Sequence, residues 1–210
     1  QAHWQGLKSD PDAVFDREIS LDVGRIAPQI SWGTSPQHTI DARAVIPAPT
    51  DAPSALQHSS WAKAQAYMQL KPGTRLEDYP IDAAFLGSCT NSRLSDLRLA
   101  ADYIRQSGAR VAPSVKALCV PGSGRVKRAA EAEGIDEVFR EAGFEWREPG
   151  CSLCFFAGGE RFADGARMIS TTNRNFEGRQ GLGVRTHLAS PLSVVASACA
   201  GHLTSVESQS

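Results

Sequence analysis

"IDAAFLGSCTNSRLSDLRLAADYIRQSG", Ile81 to Gly108, decides how this chain folds. It opens with a short apolar run closed by Gly87, the pattern of a buried strand. Leu94, Leu97, Ala101 and Ile104 then recur at helical spacing, and Gly108 supplies a C-terminal stop. The alternation continues downstream. "VKALCV" (Val115–Val120) reads as a second strand, ending at Pro121-Gly122-Ser123-Gly124. "RVKRAAEAEG" and "IDEVFREAG" read as helices, "FEWREPG" as a short strand and "ARMISTT" as another. "SPLSVVASACAG" closes as a helix, with Ser190 as N-cap and Pro191 at the first helical position. Strands separated by helix lengths favour an α/β fold, a three-layer α/β/α arrangement with a mostly parallel sheet, over residues 81–210.

Upstream, residues 1–80 are expected to be an irregular lead-in and linker segment packing on that core. "REISLDV" (Arg17–Val23) alternates as a half-buried strand does, and "WGTSPQHT" brings turn-forming Gly33 and Pro36. "IPAPTDAPSA" (Ile46–Ala55) reads as a surface linker and "WAKAQAYMQL" (Trp61–Leu70) as a short helix. "RTHLASP" (Arg185–Pro191) reads as a loop in which His187 is structural. The first residue is Gln1 rather than Met, so a processed, trimmed or partial chain is expected.

Composition narrows the function classes. A net charge of −1 gives no reason to expect nucleic acid or an anionic membrane as partner. No apolar run approaches the ~18 residues of a membrane span. Five cysteines, an odd number at irregular spacing, argue against a secreted disulfide framework and for a reducing cytoplasm.

In parallel sheets ligands gather at the C-terminal ends of strands. "GSCTNS", "PGSG" and "STTNRNFEGR" all follow strand candidates. Cys151 and Cys154 form a C-x-x-C pair in "PGCSLC", followed by Phe155 and Phe156. Alone, the pair fits packing, a redox couple or a metal site. Zinc would want a fourth ligand, usually from a second close pair, and none exists. Cys89 sits on the Gly- and Ser-rich turn before a helix, where backbone N–H groups favour a thiolate or an anionic cluster. Three thiolates without a fourth ligand suit a [4Fe–4S] cluster with one open iron, a Lewis acid able to hold a hydroxy acid. Cys119 and Cys199 lie in apolar segments and read as packing residues. Asn173, Arg174 and Arg179 lie in a Gly-containing loop after a strand, and two arginines there can grip a di- or tricarboxylate.

"GSCTNSR" (87–93), "REPGCSLC" (147–154) and "TNRNFEGRQG" (172–181) together resemble the aconitase superfamily of iron–sulfur hydro-lyases. The likeness runs through "SWGTSP", "IDARAVIP", "VPGSGRVKRAAEAEG" and "GVRTHLASP", and these outer segments lean toward the isopropylmalate branch of leucine biosynthesis. The resemblance implies that Cys89, Cys151 and Cys154 hold the cluster. It implies that Asn173, Arg174 and Arg179 bind substrate carboxylates or line the site. The implied reaction is reversible dehydration and rehydration of a small-molecule hydroxy acid. No general base is assigned in this chain; the resemblance places it in a small subunit or a swivelling domain. Alternatives are a homoaconitase or citraconate hydratase type, or a non-enzymatic zinc domain using the three cysteines with His187 or His202.

Overall fold

The computed structural model describes residues 2–154 and 159–206, so Phe155 and Phe156 after the cysteine pair lie outside the described residues. In chain order the elements are α1 (Ala2–Gln5), β1 (Gln29–Ser31), β2 (Thr39–Asp41), α2 (Ala55–Met68), β3 (Ala83–Leu86), α3 (Leu94–Ser107), β4 (Lys116–Cys119), α4 (Gly124–Ala132), α5 (Ile135–Ala142), β5 (Glu145–Trp146), β6 (Arg167–Ser170), β7 (Arg185–Leu188) and α6 (Pro191–Ala200). The fold is α/β, as the alternation predicts. β3 to β7 form one parallel sheet in the order β5-β4-β3-β6-β7, within a three-layer α/β/α arrangement.

The chain enters this sheet at its centre. It moves outward from β3 through β4 to β5, then returns to the other side of β3 with β6 and β7. The order reverses between β3 and β6, and the crevice beyond their carboxyl ends is where open α/β sheets take ligands.

Strand periodicity divides the core in two. Ala84, Leu86, Ala117, Cys119 and Ile169 join Leu97, Ala101, Ile104, Phe139, Val194 and Ala198 of α3, α5 and α6 in one cluster. Ala83, Phe85, Leu118 and Met168 point the other way and pack with Leu153 and Val184. The second face is thus closed partly by the cysteine turn itself. The helix ends follow capping chemistry: Gly108 takes a left-handed φ of 63° after α3, and the Ser190 hydroxyl accepts from Ser193 N at 3.2 Å. Burial pushes the Cys119 thiol well up and the Cys199 thiol up to about 11, as suits packing residues.

Three expectations change. "REISLDV" forms no strand: residues 17–22 are irregular and exposed, followed by a 3-10 turn at Val23–Arg25. The alternation is real, but no neighbouring strand pairs with it among the described residues. The "IPAPTDAPSA" stretch is not all surface, because Ile46 is buried and Gln65 Nε2 donates to Pro47 O at 2.6 Å. It also overlaps a longer helix than expected. The Ser54 hydroxyl accepts from Gln57 N at 3.2 Å and starts α2 at Ala55.

The third change is β7, where a loop is expected around His187. Its two central residues, Thr186 and His187, are polar yet buried, and each finds a partner inside. Thr186 Oγ1 donates to Gln180 Oε1 at 2.7 Å. His187 Nδ1 donates to Ser31 O at 2.7 Å, which leaves Nε2 to accept from Arg167 Nη1 at 2.8 Å. Arg167 also donates to Met68 O at 2.9 Å and lies 4.9 Å over the Tyr79 ring. Burial and the Arg167 charge push His187 down to about 3, against the opposing pull of its bond to Ser31. This network ties β1 to β6 and β7. Ile30, Trp32, Met68 and Leu76 accordingly share the core cluster of the sheet residues.

Candidate functional site

Four loops leave the carboxyl ends of the parallel strands β3 to β6, and the exit of β6 ties the first to the last. After β3 comes Gly87-Ser88-Cys89. Gly87 N donates to Thr171 Oγ1 at 2.9 Å, Thr171 Oγ1 donates back to Gly87 O at 2.6 Å, and Asn91 Nδ2 donates to Thr171 O at 2.7 Å. The "PGSG" turn after β4 braces the same loop. Gly122 N donates to Ser92 O at 2.9 Å, and a Cβ on Gly122 would lie 2.8 Å from that oxygen. Only glycine permits this approach.

After β5 the chain reaches the cysteine turn. Cys154 N donates to Cys151 O at 2.6 Å, and Ser152–Cys154 form a 3-10 turn with Leu153 buried beneath. After β6 the loop through Asn173, Arg174 and Arg179 closes onto this turn. Arg179 is buried and donates from Nε to Cys154 O at 2.7 Å, from Nη2 to Cys154 Sγ at 3.4 Å and Asn173 Oδ1 at 3.2 Å, and from Nη1 to Arg174 O. Gln180 Nε2 donates to Leu153 O at 2.8 Å.

The structure therefore joins Cys154, Asn173, Arg174 and Arg179 directly. It places Cys89 on the loop pinned to Thr171, at the start of the same segment. The two arginines differ. The Arg179 guanidinium is engaged on four internal acceptors, whereas Arg174 is exposed and lines a cleft with Asn173.

Backbone strain marks both cysteine loops. Among the described residues only Gln69, Ser88 and Ser152 are non-glycine residues with positive φ. Gln69 caps α2, whereas Ser88 (φ 96°) precedes Cys89 and Ser152 (φ 39°) follows Cys151. Such conformations cost about 1–3 kcal/mol each and gather at functional sites. The buried Ser92 hydroxyl, in the Cys89 loop, also finds no hydrogen-bond partner among the described residues.

The donor set suits a sulfur-ligated group. Cys89, Cys151 and Cys154 are all free thiols, the first two exposed and the third half-buried beside a guanidinium. That guanidinium sets positive charge where an anionic sulfide-rich group would need it. Among the described residues no three His, Cys, Asp or Glu side chains already gather as a metal pocket. A zinc site completed by histidine does not fit. Both ring nitrogens of His187 are engaged and buried. His202 bridges Pro80, ahead of β3, at the end of the sheet opposite Cys89.

Sequence reasoning missed two contributors. Thr171, which clamps the Cys89 loop, carries only the weak signal of a hydroxyl run after a strand. The Gly33–Pro36 turn lines the cleft with Arg174 although it lies far away in sequence, and only the fold brings it there.

A parallel sheet with a cysteine turn and an arginine loop at its switch point defines a class, and residues 1–201 match the Aconitase family (aconitate hydratase). The chain belongs to that family. It is 59% identical over 201 residues to the 3-isopropylmalate dehydratase large subunit of Cupriavidus necator, covering 96% of this chain and 74% of that protein. It is 53% identical over 203 residues to the 3-isopropylmalate dehydratase large subunit 1 of Bradyrhizobium diazoefficiens, covering 97% of this chain and 42% of that protein. Among the described residues no helix is long and apolar enough to cross a membrane.

Proposed function

We propose that the chain is the cluster-bearing part of a hydro-lyase that isomerises 2-isopropylmalate to 3-isopropylmalate. The family implies an iron–sulfur cluster, here a [4Fe–4S] group with one open iron held by Cys89, Cys151 and Cys154. When bound, that group supplies a Lewis acid for a hydroxyl leaving group. The remaining tasks fall to side chains of this chain. Arg174 is exposed, its guanidinium unpaired among the described residues, and takes a substrate carboxylate bidentately. Arg179 holds Cys154 and the Arg174 backbone in register. Asn173, kept in place by Arg179, lines the same site. Fixed placement of acid and charge lowers the barrier by orientation and preorganised electrostatics. The proton acceptor comes from a small-subunit partner, as the relatives' designation as large subunits suggests. The cytoplasm is the expected compartment.

One observation carries this reading. In a chain of this family, a single buried guanidinium links Cys154 to Asn173 and Arg174. The test is iron and acid-labile sulfide content with a visible spectrum after anaerobic reconstitution, before and after Cys89→Ala. Joint iron and sulfide with air-sensitive absorbance, lost in the variant, is expected. Zinc without sulfide, or full iron retention by the variant, would overturn the assignment. Addition of the small subunit of a 3-isopropylmalate dehydratase, together with the part of a large subunit that the matched segment leaves uncovered, should then give isomerisation of isopropylmalate.

A further inference from the structure

We propose that the Gly33–Pro36 turn is the specificity wall of the acid-binding cleft: the substrate carboxylate lies on Arg174, and its alkyl branch lies against Pro36, Leu188 and Ala189. This rests on the hydro-lyase reading and adds which part of the acid the site discriminates.

The cleft has a volume of about 600 Å³ and opens at the carboxyl ends of β6 and β7, between the turn and residues 173–175. That volume suits a small metabolite. Its walls differ in chemistry. Arg174 brings an exposed cation to one side. The other combines the hydroxyls of Thr34 and Ser35 with the apolar surfaces of Pro36, Leu188 and Ala189. A carboxylate gains the same charge contact whatever its tail. Discrimination between acids therefore arises at the apolar corner, where one methylene changes binding about 10- to 200-fold.

The turn is built to hold its shape. Asn175 Nδ2 donates to Thr186 O at 2.7 Å and to Gly33 O at 3.4 Å, docking the turn on the arginine loop. Behind it lies His38, buried, with its ring 4.7 Å from that of Trp32. Ser35 N donates to His38 Nδ1 at 3.4 Å, and His38 Nε2 pairs with Ser60 Oγ at 3.1 Å. A Cβ on Gly33 would lie 2.4 Å from His38 Nδ1, so only glycine lets the turn sit this close. A wall fixed from both sides selects by shape without ordering itself at the moment of binding.

The test is titration of the 210-residue chain with 3-isopropylmalate and with malate, which lacks the branch, followed by backbone amide shifts. Both acids should shift Arg174 and its neighbours, and only the branched acid should shift Thr34, Ser35 and Ala189. Arg174→Ala should weaken both acids by about tenfold or more. Ser35→Leu should weaken 3-isopropylmalate about tenfold and leave malate within about twofold. Because Ser35 Oγ also accepts from Gln37 N at 3.3 Å, Ala189→Val narrows the same corner from the other wall as an independent check. Equal weakening of both acids, unchanged preference in both variants, shifts confined to other surfaces, or no binding of either acid would overturn the proposal. Cluster content separates the two failures. If iron and sulfide load through the three cysteines while any of these outcomes holds, the specificity wall fails alone. If iron and sulfide never load, the hydro-lyase reading fails, and the titration still reports on the cleft.

Discussion

Residues 83–86 and residues 17–23 both carry apolar side chains in strand-like patterns, yet Ala83–Leu86 is buried on both faces while Ile19, Leu21 and Val23 are exposed. The first segment has hydrogen-bonding neighbours on both sides, β4 and β6, and apolar material above and below. The second has neither among the described residues. Trp4, Leu7, Val14, Phe15 and Ile26 share its exposure. A strand is a paired object, and an apolar pattern becomes one only where backbone partners meet it.

The sharpest way to break this contrast is in the centre of the sheet. Phe85 is fully buried, packs with Leu118, Leu153 and Met168, and its ring would lie 2.3 Å from a Cβ placed on Gly87. It therefore supports both the cysteine turn and the backbone leading to Cys89. Phe85→Ala should cost about 3–5 kcal/mol in chemical denaturation, through lost burial and the cavity left behind. It should also make Cys89 and Leu153 amides exchange faster than those of α5. A loss under about 1 kcal/mol would mean that this face is not the supporting layer described here.

The sheet and its loops were legible because their signals are local. Apolar runs ending in glycine, helical spacing after them and Ser190-Pro191 capping all report on a few neighbouring residues. The cysteine turn and arginine loop were legible as motifs, and their position at strand exits followed from the fold class. What stayed hidden depends on distant partners. His187 looks like a loop residue because its partner Ser31 lies 156 residues away in sequence. Arg174 and Arg179 look equivalent in sequence. Only the contacts with Cys154 and Asn173 separate the residue that holds the loop from the one left exposed.

His187 marks where the lead-in stops being peripheral, and pH tests that joint. Its folded value of about 3 lies below the ordinary 6.5. Below pH 6.5 the unfolded chain takes up a proton that the folded chain refuses. The stability from this group is therefore complete above that value and falls as pH drops toward 3, by about 1.4 kcal/mol per pH unit. Carboxylates titrate below about pH 5 as well, so the informative quantity is a difference between proteins. His187→Gln keeps one donor for Ser31 and one acceptor for Arg167 but cannot ionise. Between pH 6 and pH 5 its stability should fall by about 1 kcal/mol less than that of the parent. Identical slopes would show that the imidazole is not held neutral between β1 and β6.

The smallest effect is expected where the apolar pattern has no partner. Ile19→Ser removes an exposed side chain that touches neither core cluster. Hydrophobic stabilisation scales with area removed from water, and here almost none is removed on folding. The melting midpoint should stay unchanged, corresponding to less than about 0.5 kcal/mol. The same exchange at Ile30, which lies in β1 and is fully buried, removes comparable apolar surface from the core and adds a hydroxyl there. It should cost several-fold more than Ile19→Ser. If the two serine variants were equally destabilising, residues 17–23 would be contributing to the folded state through contacts that their exposure does not reveal, and the division of the lead-in at β1 would be misplaced.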